Sequence, residues 1–326
     1  MYEVEVKMLE RAKALLESGE VARVVGWKKG EFYFDAEPAT FETVESLNEF
    51  VYNSFCGANL SKYLIKIGKK EGKTAIFLKP CDTYSLNQLI KEHRVDREKI
   101  YAIAIECLGK LDIEKIKANG VSSVIEASET ATDVTVKTLY GEDVTLSKAD
   151  VKLEKCMACN KTHQIKDEEI IINERVATDV DRFAMVKKLE AMTEDERFAF
   201  WKEQLSKCIR CNACRNVCPA CSCVKCVFDN PNSGIAAKAN DTTFEEQMFH
   251  IIRAFHVSGR CTDCGECSRV CPQNIPLHLL NRKFIKDIDT FYGEFQAGEE
   301  SEGKTPLTSY TEGDLEPGDV FKGDAK

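Results

Sequence analysis

Two stretches of this chain each carry four cysteines at one spacing: Cys208-Ile-Arg-Cys211-Asn-Ala-Cys214-Arg-Asn-Val-Cys218-Pro219 and Cys261-Thr-Asp-Cys264-Gly-Glu-Cys267-Ser-Arg-Val-Cys271-Pro272. Both fit C-x2-C-x2-C-x3-C-P, a spacing that ligates [4Fe–4S] clusters. Three thiolates two residues apart can wrap one cubane within a tight loop. The fourth cysteine begins a new segment and points to the other cluster, and the proline after it stops a regular helix from running across the site. The expected ligand sets are therefore crossed. Cys208, Cys211, Cys214 and Cys271 form the first, and Cys261, Cys264, Cys267 and Cys218 the second. Zinc sites or buried reduced thiols are the competing readings. Zinc, however, usually takes one C-x2-C pair with a distant second pair, not three cysteines in close series.

Of the sixteen cysteines, eleven lie between positions 208 and 271. Disulfides are rare in reducing compartments, and the N-terminus has no apolar core behind a basic start, so the expected location is the cytoplasm, with thiols free to ligate. From Lys207 to Cys226 stand four basic residues (Lys207, Arg210, Arg215, Lys225) and no acidic one, in a chain of net charge −9. A cubane with four thiolates is an anion, and such cations would stabilise it. The overall acidity argues against nucleic acid as a partner, and no apolar run is long enough for membrane insertion.

Five cysteines stand upstream. Cys81 follows the apolar run Thr74–Lys79, and Cys107 follows Tyr101–Glu106. If these runs are parallel neighbours, both cysteines fall at the carboxyl edge of one sheet, where open α/β folds bind ligands. With the pair Cys156-Met-Ala-Cys159 they could make a third four-cysteine site. Cys56 is unassigned, and Cys221, Cys223 and Cys226 either join a further cluster or are buried small hydrophobes. Cys56, Cys221, Cys223 and Cys226 would make a fourth set, for three to four [4Fe–4S] clusters in all.

The elements that would position these residues follow from periodicity. Val21–Trp27, Thr74–Lys79, Tyr101–Glu106 and Ser122–Glu126 read as strands. Val44–Tyr52, Ala58–Lys70, Tyr84–His93 and Ile113–Asn119 read as helices. This alternation predicts an α/β domain with a largely parallel sheet over 1–185. Residues 186–295 read as a mostly α-helical two-[4Fe–4S] ferredoxin-like domain. Asp195–Leu205 is one of its helices. Another follows a capping box at Thr242 and Glu245, with Phe244, Met248, Ile251, Ile252 and Phe255 at helical spacing, and ends at Gly259. A third opens at Pro276, with Leu277, Leu280, Phe284, Ile285, Ile288 and Phe291 as its apolar positions. His250 and His256 read as packed helix residues. From 296 to 326 eight acidic residues face three lysines, an extended acidic tail expected to wrap a partner subunit or to stay disordered. There is no G-x-G-x-x-G fingerprint and no phosphate loop.

Leu15-Leu-Glu-Ser-Gly-Glu-Val-Ala-Arg-Val-Val-Gly26, Phe77-Leu-Lys-Pro-Cys-Asp82, Ile105-Glu-Cys-Leu-Gly109 and Lys155-Cys-Met-Ala-Cys159 resemble the β subunits of deazaflavin-coenzyme-dependent hydrogenases and formate dehydrogenases. That resemblance implies an α/β domain with one [4Fe–4S] cluster on Cys81, Cys107, Cys156 and Cys159, and many members of the family bind FAD. The second half is similar to the dicluster subunits of heterodisulfide-reductase-type complexes of anaerobes. The expected function is an iron–sulfur electron-transfer subunit of a soluble multi-subunit oxidoreductase. The alternative is an FAD-containing dehydrogenase subunit acting on NAD(P)H or a deazaflavin.

Overall fold

The computed structural model describes residues 2–159, 169–171, 180–230, 232 and 243–309. Contacts divide the chain into two units, one of Met1–Leu86 with His93–Val180, the other of Asn87–Glu92 with Asp181–Lys326. Thr242 of the expected capping box and residues 310–326 of the acidic tail lie outside the described residues.

Among the described residues the first unit holds eight strands: β1 (Arg23–Lys29), β2 (Ala36–Phe41), β3 (Thr74–Leu78), β4 (Ile100–Ile105), β5 (Val124–Glu129), β6 (Asp133–Thr138), β7 (Val144–Ser147) and β8 (Glu169–Ile171). One sheet runs β2-β1-β3-β4-β8. Only β2 is antiparallel to its neighbour; β1, β3, β4 and β8 pair in parallel. Every residue of β3 and β4 is buried, as expected of central parallel strands covered on both faces. Burial of each of their Ile, Leu and Phe side chains contributes about 1.5–3 kcal/mol. The helix Tyr2–Glu17 adds Val4, Met8, Ala12 and Leu15 to this core, a spacing of three to four that decides for helix at the N-terminus.

β5, β6 and β7 form a separate antiparallel sheet, so the strand expected at Ser122–Glu126 does not join the parallel one. Val134 and Val136 alternate with more exposed neighbours. They pack on Phe55, Leu111, Ile116 and Val151, the one-sided pattern of an antiparallel sheet. Two expected helices are also shorter. Val44–Tyr52 contains only a 3-10 turn, Glu45–Glu49, and within Ala58–Lys70 only Ser61–Tyr63 (3-10) and Leu64–Ile67 (α) are helical. Near the start of the latter, Ser61 N donates to Asn59 Oδ1 at 3.0 Å and Ser61 Oγ donates to Asp82 O at 2.7 Å. Side-chain bonds of this kind compete with the helical ladder.

Gly26, in β1, has no room for a side chain. A Cβ there would stand 2.6 Å from the Phe50 ring, which is held between Phe41 and Phe77 at centroid distances of 5.6 and 5.8 Å. Gly26→Ala is expected to cost about 1–3 kcal/mol, read as a lowered thermal midpoint under anaerobic conditions.

The second unit is helical. Its longer helices are Ala184–Glu190, Glu194–Ser206, Thr243–His256 and Leu277–Tyr292. A reciprocal capping box of Thr193 and Glu196 starts the second of these. The last buries Leu277, Leu279, Ile285 and Ile288, and with them the polar His278, Asn281 and Arg282. Cysteines form part of this unit's core. Cys214 and Cys267 pack with Leu205, Phe249, Ile275 and Leu277, while Trp201, Phe228, Cys208 and Cys271 close around them. Cys218 packs with Ala220 and Val257, with Cys221 and Cys261 alongside.

Candidate metal centres

The two cysteine runs share one backbone trace. In the first, Arg210 and Asn212 have φ of 53° and 61°; in the second, Asp263 and Gly265, at the same offsets, have 55° and 66°. A short helix follows each, Ala213–Asn216 and Glu266–Arg269. Residues other than glycine seldom adopt this left-handed region, and Asn and Asp do so most readily. Alternating right- and left-handed residues turn successive backbone N–H groups inward, a concavity suited to an anion. One such donor is already placed, since Arg210 N–H reaches Cys208 Sγ at 3.4 Å.

Each loop is tied by a buried ion pair. Arg210 approaches Glu246 at 3.5 Å and stacks over Phe249 at 4.1 Å. In the second loop Asp263 accepts from Arg282 Nε at 2.9 Å. Thus the residue holding the strained φ is in both loops the one anchored to a helix.

The fourth cysteine of each run keeps company with the other run. Cys271 packs in the cluster of side chains that contains Cys208 and Cys214, together with Cys267 of its own run, and Cys218 packs with Cys261. Cys218 has its pKa lowered to about 5, first by a hydrogen bond from Cys221, with burial opposing and Arg253 assisting. Burial pushes the Cys261 thiol well up, and Asp263, Cys218 and Cys264 add to that. Both groups of sulfurs are crowded, and they are soft thiolate donors without a carboxylate majority, which suits iron–sulfur ligation.

The helix Thr243–His256 supplies what the sequence did not single out. Glu246 and His250 gather with Cys208 so that their ligand atoms all lie within 4.8 Å of one another. His250 Nε2 is 3.2 Å from Cys208 Sγ. Burial, then Arg253 and Arg210, lower the His250 pKa to about 3, so the ring is neutral and its single proton can sit on the nitrogen facing sulfur. Its Nδ1 has no hydrogen-bond partner.

In the first unit the register of β3 and β4 fixes two more cysteines. Leu78 pairs with Ala104, and Cys81 and Cys107 each follow three residues later, at the same edge. Cys81 stands in the first turn of the helix Pro80–Lys91. Burial pushes its thiol well up, Asp82 adds to that, Lys155 and Lys79 oppose it, and the Cys159 sulfur acts in the same field. Cys156 is raised by burial and then by Cys107, against Lys155 and Lys110. Cys81 and Cys107 thus share one sheet edge, and Cys159 and Cys156 lie within electrostatic reach of Cys81 and Cys107 respectively.

Three buried lysines surround this group. Lys79 and Lys110 are 1% exposed and Lys155 is 9% exposed, although lysine is almost never buried without a partner. Lys79 Nζ donates to Ala58 O at 2.7 Å and to Asp82 Oδ2 at 2.9 Å, and lies 4.2 Å from the Trp27 ring. Lys110 Nζ donates to Asn53 O at 2.8 Å and sits 3.7 Å from the Tyr52 ring. Lys155 Nζ donates to Gly57 O at 2.7 Å. The three carbonyls come from one loop, residues 53–58, so that loop holds three ammonium groups toward the thiols. In sequence these lysines look like ordinary solvated flanks.

Cys56 belongs to the same loop. Its Sγ accepts from Asn53 N at 3.2 Å and meets Val51 O at 3.7 Å, and burial raises its pKa. Cys221, Cys223 and Cys226 lie in the second unit, with Cys223 exposed. No helix among the described residues is long and apolar enough to cross a membrane.

Comparison with known proteins agrees with both halves. Residues 204–275 match the family described as a 4Fe-4S dicluster domain. The chain is 23% identical to the F420-dependent formate dehydrogenase subunit beta of Methanocaldococcus jannaschii, over 85% of this chain and 88% of that one. It is 24% identical to the F420-dependent formate dehydrogenase 1 subunit beta of Methanococcus maripaludis, over 66% and 72%. A putative ferredoxin-3 of Sinorhizobium fredii is 32% identical over 24% of this chain and 75% of its own length. The chain is thus similar over most of its length to an F420-dependent formate dehydrogenase β subunit, and its residues 204–275 match a 4Fe-4S dicluster domain.

Proposed function

We propose that this chain relays electrons within a multi-subunit anaerobic oxidoreductase of the hydrogenase, formate dehydrogenase or heterodisulfide-reductase type. Three [4Fe–4S] clusters would carry them, supplying one-electron storage at each site. The first is held by Cys208, Cys211, Cys214 and Cys271, the second by Cys261, Cys264, Cys267 and Cys218, and the third by Cys81, Cys107, Cys156 and Cys159. Residues 1–185 carry the third site and 186–295 the other two. The observation that carries the reading is the pair of loops with one backbone trace, each with the last cysteine of the other run packed beside it. The buried lysines support the third site, because a cluster anion gives three enclosed ammonium groups a common counter-charge. The hydrogen bonds of Cys56 favour a thiol there, so no fourth cluster is included.

The chain's own residues do the positioning. Backbone N–H groups and Arg210, His250 and Arg253 face the two C-terminal sites, and Lys79, Lys110 and Lys155 face the N-terminal one. Burial of Cys214, Cys218, Cys264 and Cys267 keeps water from those sulfurs, which helps to set potentials and limits oxidation.

The test is anaerobic purification of the full chain, followed by assay of iron, acid-labile sulfide, zinc and flavin. About twelve irons per chain with matching sulfide, and a broad brown absorption, are expected for three clusters. Zinc without sulfide in a colourless protein would sink the proposal. Stoichiometric flavin would redirect it to an FAD-containing dehydrogenase acting on NAD(P)H or a deazaflavin.

A further inference from the structure

Most of the arginines that flank the cysteine loops have a carboxylate partner. Arg210 has Glu246, Arg215 has Asp229, Arg260 has Glu92, Arg269 has Glu266 and Arg282 has Asp263. Arg253 is the exception. It is 3% exposed, on the helix Thr243–His256, and no carboxylate among the described residues pairs with it. Its Nη2 donates to the carbonyl of Cys214 at 3.3 Å, and its buried Nε has no acceptor. Burial acts against its charge, yet Cys218, Cys267, Cys214 and Cys221 outweigh it and hold the guanidinium protonated. Arg253 thus reaches both runs, through the Cys214 carbonyl in the first and a hydrogen bond with Cys267 in the second.

We infer that Arg253 is a cation shared by the two C-terminal clusters, placed so that it raises the potential of both. This rests on the crossed ligand sets proposed above. The physical argument is the asymmetry of partners. A buried guanidinium without a counter-charge is strongly disfavoured, and the anions within reach are cysteine sulfurs from both runs. The orphaned Nε–H is a donor that only a further acceptor in the sulfur pocket would satisfy. Reduction of either cluster adds one electron and no proton, so negative charge accumulates at both sites. A fixed positive charge beside sulfurs of both sets favours each reduced form. Arg210 cannot take this part, since Glu246 already neutralises it.

The experiment uses the full chain, anaerobic, as wild type, Arg253→Met, Arg253→Gln and Arg253→Lys. Iron and sulfide are assayed first, then potentials are measured by redox titration followed by electron paramagnetic resonance. The expected result is an unchanged iron content in the neutral variants. Both C-terminal signals should move to lower potential by comparable amounts. Arg253→Lys should restore most of the shift. An iron-replete neutral variant in which one signal or neither moves overturns the inference. If neither neutral variant holds iron at these sites, retention of both clusters in Arg253→Lys supports the shared charge, and loss of iron there too overturns it. Failure of the underlying reading is distinct: the wild-type chain would then lack iron and sulfide.

Discussion

Cys271→Ala is expected to empty the site built on Cys208, Cys211 and Cys214, although Cys271 belongs to the other cysteine run. In the structure Cys271 packs with Cys208 and Cys214, while Cys218 packs with Cys261. A [4Fe–4S] cluster that loses one of four thiolates falls apart or drops to a three-iron form. The variant should therefore lose up to about four irons, roughly one cluster's complement. The remaining resonance signals should match those of Cys208→Ala and differ from those of Cys261→Ala. Cys218→Ala should do the reverse and match Cys261→Ala. If Cys271→Ala instead matches Cys261→Ala, each run binds its own cluster and the crossed assignment fails. The effect is the largest available in this chain, because it removes a redox centre outright.

Both cysteine runs and the central strands were legible because their signals are local. A ligand set of three cysteines two apart needs no knowledge of the fold, and the apolar runs of β3 and β4 announce strands buried on both faces. The expected crossing of the fourth cysteine rests on the proline after Cys218 and after Cys271, which marks a change of segment, and the Cys271→Ala comparison is its test. The antiparallel sheet was written as plainly, in the alternation Asp133-Val-Thr-Val-Lys-Thr138, but a strong expectation of parallel alternation drew Ser122–Glu126 toward the wrong sheet.

Other features depend on closure of the chain and leave no local trace. Lys79, Lys110 and Lys155 sit beside cysteines in sequence, yet their burial comes from carbonyls of residues 53–58. His250 and Arg253 look like helix residues of no special kind, and become distinctive only when Thr243–His256 is laid against the sulfurs. Positive φ at Arg210 is similar: an arginine there gives no warning, and the pairing with Glu246 and Phe249 that holds it is long-range. Candidate ligands are thus proposed from spacing, whereas the cations and the imidazole packed around them are set by tertiary packing.

Lys79→Met should destabilise the first unit by about 3–5 kcal/mol, the usual result of stranding one charge of a buried pair. Lys79 and Asp82 are 1% and 0% exposed and meet at 2.9 Å. Asp82 Oδ2 also accepts from Lys79 N at 3.2 Å. Without the ammonium, the Asp82 carboxylate would remain enclosed beside Cys81, where the proposed third cluster would add further negative charge. Asp82→Asn should cost a similar amount by stranding Lys79. The double variant Lys79→Met/Asp82→Asn should be less destabilised than the two singles summed, by a coupling of about 1–3 kcal/mol. Native-state amide hydrogen exchange at β3 and β4 is the suitable measure, since it reads stability without unfolding the chain and losing its metal. Additive costs would mean that the pair is held by the surrounding loop and contributes no coupling of its own. A coupling near the upper figure would place Lys79 primarily with Asp82, leaving Lys110 and Lys155 as the cations that answer the charge of the third site.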